Sequence, residues 1–281
     1  MPEGPEVTVL TISLNQIAQG KNLKQIDVLK GGKYENKAPN NYNIFCKSLP
    51  TKVDYIKNKG KLMYWAFSNG SMMINHLNMT GVWSINKKYK HSALKFIFED
   101  GLILYYTDVR RFGRVEFADS YKDIKPILDK LGIDVVNDPN FSFKIFEKLS
   151  DKKKKCNITK FLMDQHIMSG IGNYMKSEIL YAAKISPHRT IGDLSVEEKK
   201  KVFRAIKQVS TESVKYNGMS MSDFKDLDGT EGDYESFLKV YCRETDPLGN
   251  KVIRIKTKDG RTTHWVPQIQ NKKLKNKKIR D

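Results

Sequence analysis

Cysteine is scarce in this chain and nowhere paired. Cys46, Cys156 and Cys242 are the only three among 281 residues, and no two of them form a Cys-x-x-Cys pair. A disulfide framework and a cysteine zinc site are thereby excluded, and a reducing, intracellular compartment is expected. Long apolar runs are missing as well. None approaches the roughly 20 residues that span a bilayer, so no membrane association is expected. Residues 1–7 are polar and acidic rather than basic and then apolar, unlike a signal peptide. The third shortage is of acid. Against 50 Lys+Arg stand 32 Asp+Glu, a formal net charge of +18 with a pI near 9.6. That excess points to a polyanionic partner, nucleic acid before a membrane surface. No internal repeat is visible.

What is present is 39% hydrophobic residues, enough for one large domain or two ordinary ones with real cores. Val7, Leu10, Leu14, Ile17 and Ala18 recur at helical spacing, with Gly20 as a stop. From Leu23 the pattern changes to short β-rich runs, at Leu23–Leu29, Ile44–Ile56, Lys61–Phe67, Met72–Leu77, Gly81–Ile85, Ala93–Phe98, Leu102–Thr107 and Arg114–Phe117. Asp100-Gly101 reads as a hairpin turn, and the set predicts a two-layer β-sandwich carrying an N-terminal helix. Residues 119–150 mix helix and linker, with a break at Asp138-Pro139 and a basic run at Lys152–Lys155 following. Helical spacing then returns at Ile158–Met168, Asn173–Ala183, Ser195–Tyr216, where Ser195 and Glu198 make a capping box, and Tyr234–Tyr241. Residues 218–233 read as a mobile loop, and Val252–Lys256 with Thr262–Val266 as a last hairpin. The expected class is α+β in two domains. The catalytic sandwich spans 1–135, a linker 136–150, a helical DNA-binding domain 151–241, a β-hairpin finger 242–270 and a basic tail 271–281.

The first seven residues, Met-Pro-Glu-Gly-Pro-Glu-Val, organise the chemistry. Removal of Met1 leaves a secondary amine on Pro2, whose pKa of about 8, against about 10.4 for lysine, keeps it partly deprotonated at neutral pH. With an aldehyde carbon it gives an iminium, an electron sink that needs no further proton. Glu3 stands beside it as a proton donor or acceptor. The plainer reading is a frayed terminus, but the stretch runs directly into a helix. A second motif, Met163-Asp164-Gln165-His166-Ile167-Met168-Ser169-Gly170-Ile171-Gly172-Asn173-Tyr174, joins two helices through Gly-x-Gly, a turn that can offer backbone N–H groups to a phosphate. Alone, it would be read as an ordinary helical hairpin.

Residues 1–7, Asn58-Lys59-Gly60-Lys61, His76-Leu77-Asn78-Met79-Thr80-Gly81, Asp108-Val109-Arg110-Arg111-Phe112-Gly113 and Met163–Tyr174 together resemble the formamidopyrimidine-DNA glycosylase/endonuclease VIII family of base-excision repair enzymes, in its order and over about residues 1–270. The resemblance implies a bifunctional DNA glycosylase and abasic-site lyase whose second domain carries a helix–two-turn–helix. It makes Pro2 the nucleophile and Glu3 the acid that opens the sugar ring. The target base must be flipped out of the stack to be reached. Met79, Arg110 and Phe112 would fill the gap left in the duplex, and Lys61, Arg111, His91, Lys155 and Asn173 would hold phosphates. Each has a duller reading: Met79 and Phe112 as core, Lys61 as a solvated charge, Arg110-Arg111 as a surface pair, His91 as structural. Lys61 is also the rival nucleophile.

Family members commonly end in a four-cysteine zinc finger. Here Leu248, Lys251, Val266 and Ile269 fall at the ligand positions, Cys242 lies outside the pattern, and Arg261 matches the family's finger arginine. This resembles the zincless-finger branch of endonuclease VIII-like enzymes, with Leu248, Val266 and Ile269 packing where metal would bind. No metal or organic cofactor is expected. The branch implies oxidised pyrimidines and hydantoins as substrates, in damaged duplex and also single-stranded or bubble DNA, acted on by a monomer. Two alternatives stand beside it: a purine-directed glycosylase for 8-oxoguanine or formamidopyrimidine, and a non-catalytic DNA-binding protein. The basic tail reads as a nuclear address, a DNA arm or a merely solvated end.

Overall fold

The β-rich runs after Gly20 become two four-stranded layers in the computed structural model, which describes residues 2–219, 227 and 232–271. Met1, most of the loop expected at 218–233 and the basic tail beyond Asn271 lie outside the described residues. The first domain runs α1 (Gly4–Ala18), β1 (Asn22–Val28), α2 (Tyr42–Lys47), β2 (Thr51–Lys59), β3 (Leu62–Phe67), β4 (Met72–His76), β5 (Gly81–Ile85), β6 (Ser92–Phe98), β7 (Ile103–Asp108), β8 (Arg114–Ala118) and α3 (Tyr121–Asp129). One layer is β5-β7-β6-β1 and the other β2-β3-β4-β8. They join where β1 and β2 share only the pairs Asn22–Lys52 and Leu23–Thr51, so the antiparallel ladder folds over on itself. Between the layers Trp65 meets Trp83 at 5.3 Å and Phe96 at 6.0 Å, ring centre to ring centre. The Trp83 indole N–H donates to Asn75 Oδ1 at 3.0 Å, so the buried donor is satisfied. Ile124 and Leu128 of α3 cover the outer face of the second layer.

The second domain comprises β9 (Ile133–Asp134), α4 (Phe143–Lys152), α5 (Ile158–Met163), β10 (Met168–Ser169), α6 (Asn173–Ala183), α7 (Val196–Lys215), β11 (Ile253–Lys256), β12 (Thr262–Trp265) and α8 (Pro267–Gln270). Its core gathers Phe146, Phe161, Leu162, Ile179, Val202 and Ile206. Residues 136–150 thus hold most of α4, with Phe146 in that core. Strands β11 and β12 form the expected antiparallel hairpin.

Three expectations change. The run Ile44–Ile56 is not one strand: Phe45 sits on a short helix, stacked 4.5 Å from Phe117, and β2 starts after Pro50, which biases the preceding residue against helix. Helix α5 ends at Met163 rather than Met168, because Asp164 Oδ1 accepts the His166 N–H (2.9 Å) and turns the chain. The run Tyr234–Tyr241 yields only a 3₁₀ turn at Tyr234–Phe237.

Candidate active site

The start of α1 lies on the turn between α5 and α6. Gln165 shapes that turn from within, its amide donating to Ile171 O (2.8 Å) and accepting from Gly170 N–H (3.0 Å). Gly4 N–H then donates to Gly170 O at 2.8 Å, so the first residues are held against the second domain by backbone. Pro2 and Glu3 are buried there.

Glu3 caps α6. Tyr174 N–H donates to Oε1 at 3.0 Å and Met175 N–H to Oε2 at 3.3 Å. Room for the carboxyl exists only because residue 172 is glycine: a Cβ there would stand 2.1 Å from Glu3 Cδ. The helix N-terminus favours the anion, yet burial outweighs it. Burial, against the attraction of Lys61 and reinforced by the Glu6 charge, raises the Glu3 pKa to about 7 despite the two amide hydrogen bonds. A carboxyl poised there can give or take a proton at neutral pH. Lys61 is half-buried beside it, after Gly60, which at φ +56° takes the left-handed turn that brings its backbone against Ser169. Burial lowers the Lys61 pKa, the Glu3 and Glu6 carboxylates oppose that, and the Arg261 guanidinium adds to it.

Glu6 was not among the expected site residues. It is fully buried, accepts Glu3 N–H on Oε2 (2.7 Å), and on Oε1 accepts the Tyr174 hydroxyl and Met219 N–H, both at 2.8 Å. One carboxylate therefore ties the Glu3 backbone to the root of the 218–233 segment. The Glu-x-x-Glu spacing, a capping-box pattern, was the available signal. Lys176 and Asp259 were also missed. They form an ion pair at 2.6 Å with side chains 0% and 4% exposed, linking α6 to the hairpin turn. No local pattern announces a contact 83 residues apart.

Arg261 is exposed on that turn, close enough to be felt electrostatically at both Lys61 and Lys176. No cluster of three potential metal ligands exists among the described residues. Val266 is buried with Val240, Val252, Tyr181 and Ile269, but Leu248 is 73% exposed and packs on nothing in their place, contrary to expectation. The work at that turn is done by Asp246, which accepts Leu248 N–H (2.9 Å), Asn250 N–H (2.8 Å) and the Tyr181 hydroxyl (3.1 Å).

Met79, Arg110 and Phe112 form a second cluster. Phe112 is 59% exposed, and the Arg110 guanidinium lies 3.7 Å from Met79 Sδ, so neither Phe112 nor Arg110 is core and Met79 is half-buried. Buried Asp108 shapes the loop, accepting the Thr80 hydroxyl and Gly113 N–H, each at 2.6 Å. Arg111, at φ +59°, donates to Gly31 O (3.1 Å). Lys155 is exposed before α5, and His91 is half-buried before β6. Asn173 opens α6 next to the Glu3 donors, its buried Oδ1 without a partner among the described residues. Lys61 is thus the link between Glu3 and Arg261, with Pro2 next to Glu3 and Asn173 next to Tyr174, at the cleft where the start of α1 meets α6.

Known proteins share this fold. Family models described as the formamidopyrimidine-DNA glycosylase N-terminal, H2TH and C-terminal domains match residues 1–115, 131–225 and 225–271. A formamidopyrimidine-DNA glycosylase of Mycoplasmopsis pulmonis is 31% identical over 97% of this chain and 99% of its own. The MutM (Fpg) protein of Thermus thermophilus superposes with a TM-score of 0.82 at 28% identity, covering 97% of this chain and all of that one. The Lactococcus lactis enzyme bound to DNA containing an oxidised pyrimidine gives 0.82 at 25% identity over 96% of this chain and all of its own. It has also been solved with an abasic site and, as a mutant, with a formamidopyrimidine form of deoxyguanosine (Fapy-dG) in the DNA.

Proposed function

The chain belongs to the formamidopyrimidine-DNA glycosylase family, and from that premise we propose how its cleft removes an oxidised base from DNA. Members are DNA N-glycosylases with abasic-site lyase activity. With Met1 removed, the Pro2 amine attacks C1′ of the flipped nucleotide and the damaged base leaves. Glu3 gives its proton to the ring oxygen, opening the sugar as the iminium forms. That cation acidifies the C2′ protons, and successive β- and δ-elimination expels both flanking phosphates. The observation that carries this reading is Glu3, a buried carboxyl with a pKa of about 7 beside residue 2 and Lys61. Lys61 keeps the developing charge in balance and contacts phosphate with Arg111, His91, Lys155 and Asn173. Met79, Arg110 and Phe112 enter the emptied stack, and the exposure of Arg110 and Phe112 supports that role. Arg261 reaches the lesion from a finger without metal. The partner is damaged duplex DNA, bound by a monomer.

For the substrate, the relatives favour formamidopyrimidine and related oxidised purines over the pyrimidines implied by the finger. Their names point that way, as does the Lactococcus complex with Fapy-dG. Oxidised pyrimidine remains a second substrate class, supported by the same enzyme's complex with such DNA.

Borohydride trapping on duplexes with formamidopyrimidine, 8-oxoguanine, thymine glycol or an abasic site tests both points. A cross-link mapped to Pro2, formed faster with the purine lesions than with thymine glycol, is expected. Tight DNA binding with no trapped adduct would leave a binding protein instead, and Pro2→Gly with normal base release would remove Pro2 from the mechanism.

A further inference from the structure

The tip of the hairpin is fixed by a charge pair that the reaction does not use. Asp259 Oδ2 accepts Lys176 Nζ at 2.6 Å, and its Oδ1 accepts the Thr257 hydroxyl. Thr257 in turn closes the tip, its N–H donating to Arg261 O at 3.0 Å. Lys176 is fully buried in the first turn and a half of α6, one residue beyond Met175, whose amide holds Glu3. Three further ties follow the same stripe of α6 and the residues after it. The Ser177 hydroxyl accepts His264 N–H (3.3 Å), the Tyr181 hydroxyl meets Asp246, and Ile185 O accepts the buried Gln270 amide (2.9 Å).

Those three, with the Val240, Val252 and Val266 cluster, hold the base of the hairpin. Among the described residues only the Lys176–Asp259 pair ties its tip by charge. A buried ion pair is weak evidence for stability, since well-packed apolar residues would cost less. It is better evidence for specification of geometry. Burial pulls the lysine pKa down while Asp259 opposes the shift. In Asp259 burial pushes upward, but the bonds from Lys176 and Thr257 keep the carboxyl below its usual range. Each group thus opposes the other's loss of charge, and the 2.6 Å contact fixes the direction in which the tip is held.

We infer that Lys176 is a positioning residue: paired with Asp259, it sets the hairpin tip so that Arg261 faces Lys61 and Glu3. Helix α6 then aligns both sides of the cleft, Glu3 by its terminal amides and Arg261 by one buried ammonium. The inference rests on the proposed role of Arg261 in base release, and the experiment keeps the two apart.

Single-turnover base release and cleavage of a preformed abasic site are measured for Arg261→Ala, Lys176→Met and their double mutant, with thermal unfolding as the check on fold. Lys176→Met is expected to slow base release on the order of 10- to 100-fold, as a displacement of about 1 Å does. The double mutant should be no slower than Arg261→Ala alone, because both changes remove one contribution. Cleavage at the abasic site, which needs Pro2 rather than the fingertip, should change far less. Lys176→Arg, which keeps the charge, should recover most of the loss. Folded Lys176→Met with base release within about twofold of wild type, or full additivity with Arg261→Ala, overturns the inference. Arg261→Ala with wild-type base release overturns the parent role and the inference with it. If Lys176→Met does not fold, Asp259→Asn takes its place, and wild-type base release by that protein is equally decisive against the pair.

Discussion

Around the Glu3 carboxyl the fixing groups are backbone, two amides of α6 and a glycine at 172 that leaves space, while of Glu3 the Glu6 carboxylate holds only the N–H. Around Arg261 they are side chains, Lys176, Asp259 and Thr257 at the tip of the hairpin, with Tyr181 and Asp246 at its base. The two halves face one cleft, yet they answer to different changes. A backbone frame fails when something is added to it, because amides cannot be mutated away but a Cβ can intrude. A side-chain frame fails when something is removed, and fails more when the remaining partner is left buried and unpaired.

The sharpest way to break that contrast is Gly172→Ala. Its Cβ would meet Glu3 at 2.1 Å, so the carboxyl must leave its two amides. Base release should fall on the order of 10²- to 10⁴-fold, the usual worth of a positioned acid. Affinity for undamaged duplex, set by phosphate contacts, should hold. Base release near wild type would mean that the backbone frame is not what places the acid.

Glu3→Gln comes next and acts on stability as well as rate. Glu3 has its pKa raised from 4.5 to about 7, so between those values the folded protein holds more protons than the unfolded one. Stability contributed by this group is therefore present below pH 4.5 and lost as pH rises towards 7. A neutral glutamine removes the dependence. Relative to wild type, Glu3→Gln should gain up to about 3 kcal/mol between pH 4 and pH 8, the equivalent of that displacement, while base release collapses. Denaturation midpoints at the two pH values decide it; a gain independent of pH would mean that burial does not hold the carboxyl neutral.

On the side-chain half, Asp246→Ala strands the amides of Leu248 and Asn250 and the Tyr181 hydroxyl. A loss of about 2 kcal/mol is expected, read as a lower unfolding midpoint, with no zinc requirement created. A loss of a few tenths would shift the load to the valine cluster.

The same contrast explains what could be read beforehand. Most strands were legible as short β-rich runs, which place Trp65 and Trp83 in the core, and α6 and α7 from helical spacing, which places Ile179 and Val202 there, whereas Phe146 fell in a stretch read as linker. Pro2, Glu3 and the Gly-x-Gly turn were legible as a motif, since contacts made by backbone demand particular residues locally. Gly172, though, serves the Glu3 carboxyl directly, where a phosphate had been expected. Lys176 and Asp259 were not legible, because a lysine in a helix and an aspartate in a turn have ordinary local roles and only the tertiary fold pairs them. The Ile44–Ile56 run failed for a related reason: one buried aromatic, Phe45, is satisfied equally by a helical turn or a strand.

Leu248→Ser should have the smallest effect, and its smallness matters. If apolar packing simply stood where a metal binds in related fingers, Leu248, Val266 and Ile269 would share the load and losing Leu248 would cost several kcal/mol, as core truncations do. Leu248 is instead 73% exposed, while Val266 is buried and Asp246 gathers the turn. The change should therefore move stability by less than about 0.5 kcal/mol, the range of ordinary surface substitutions, and leave base release untouched. Thermal unfolding of Leu248→Ser beside Asp246→Ala separates the two accounts. Equal losses would mean that the turn is held by its apolar residues after all, and the side-chain frame around Arg261 would begin only at Lys176.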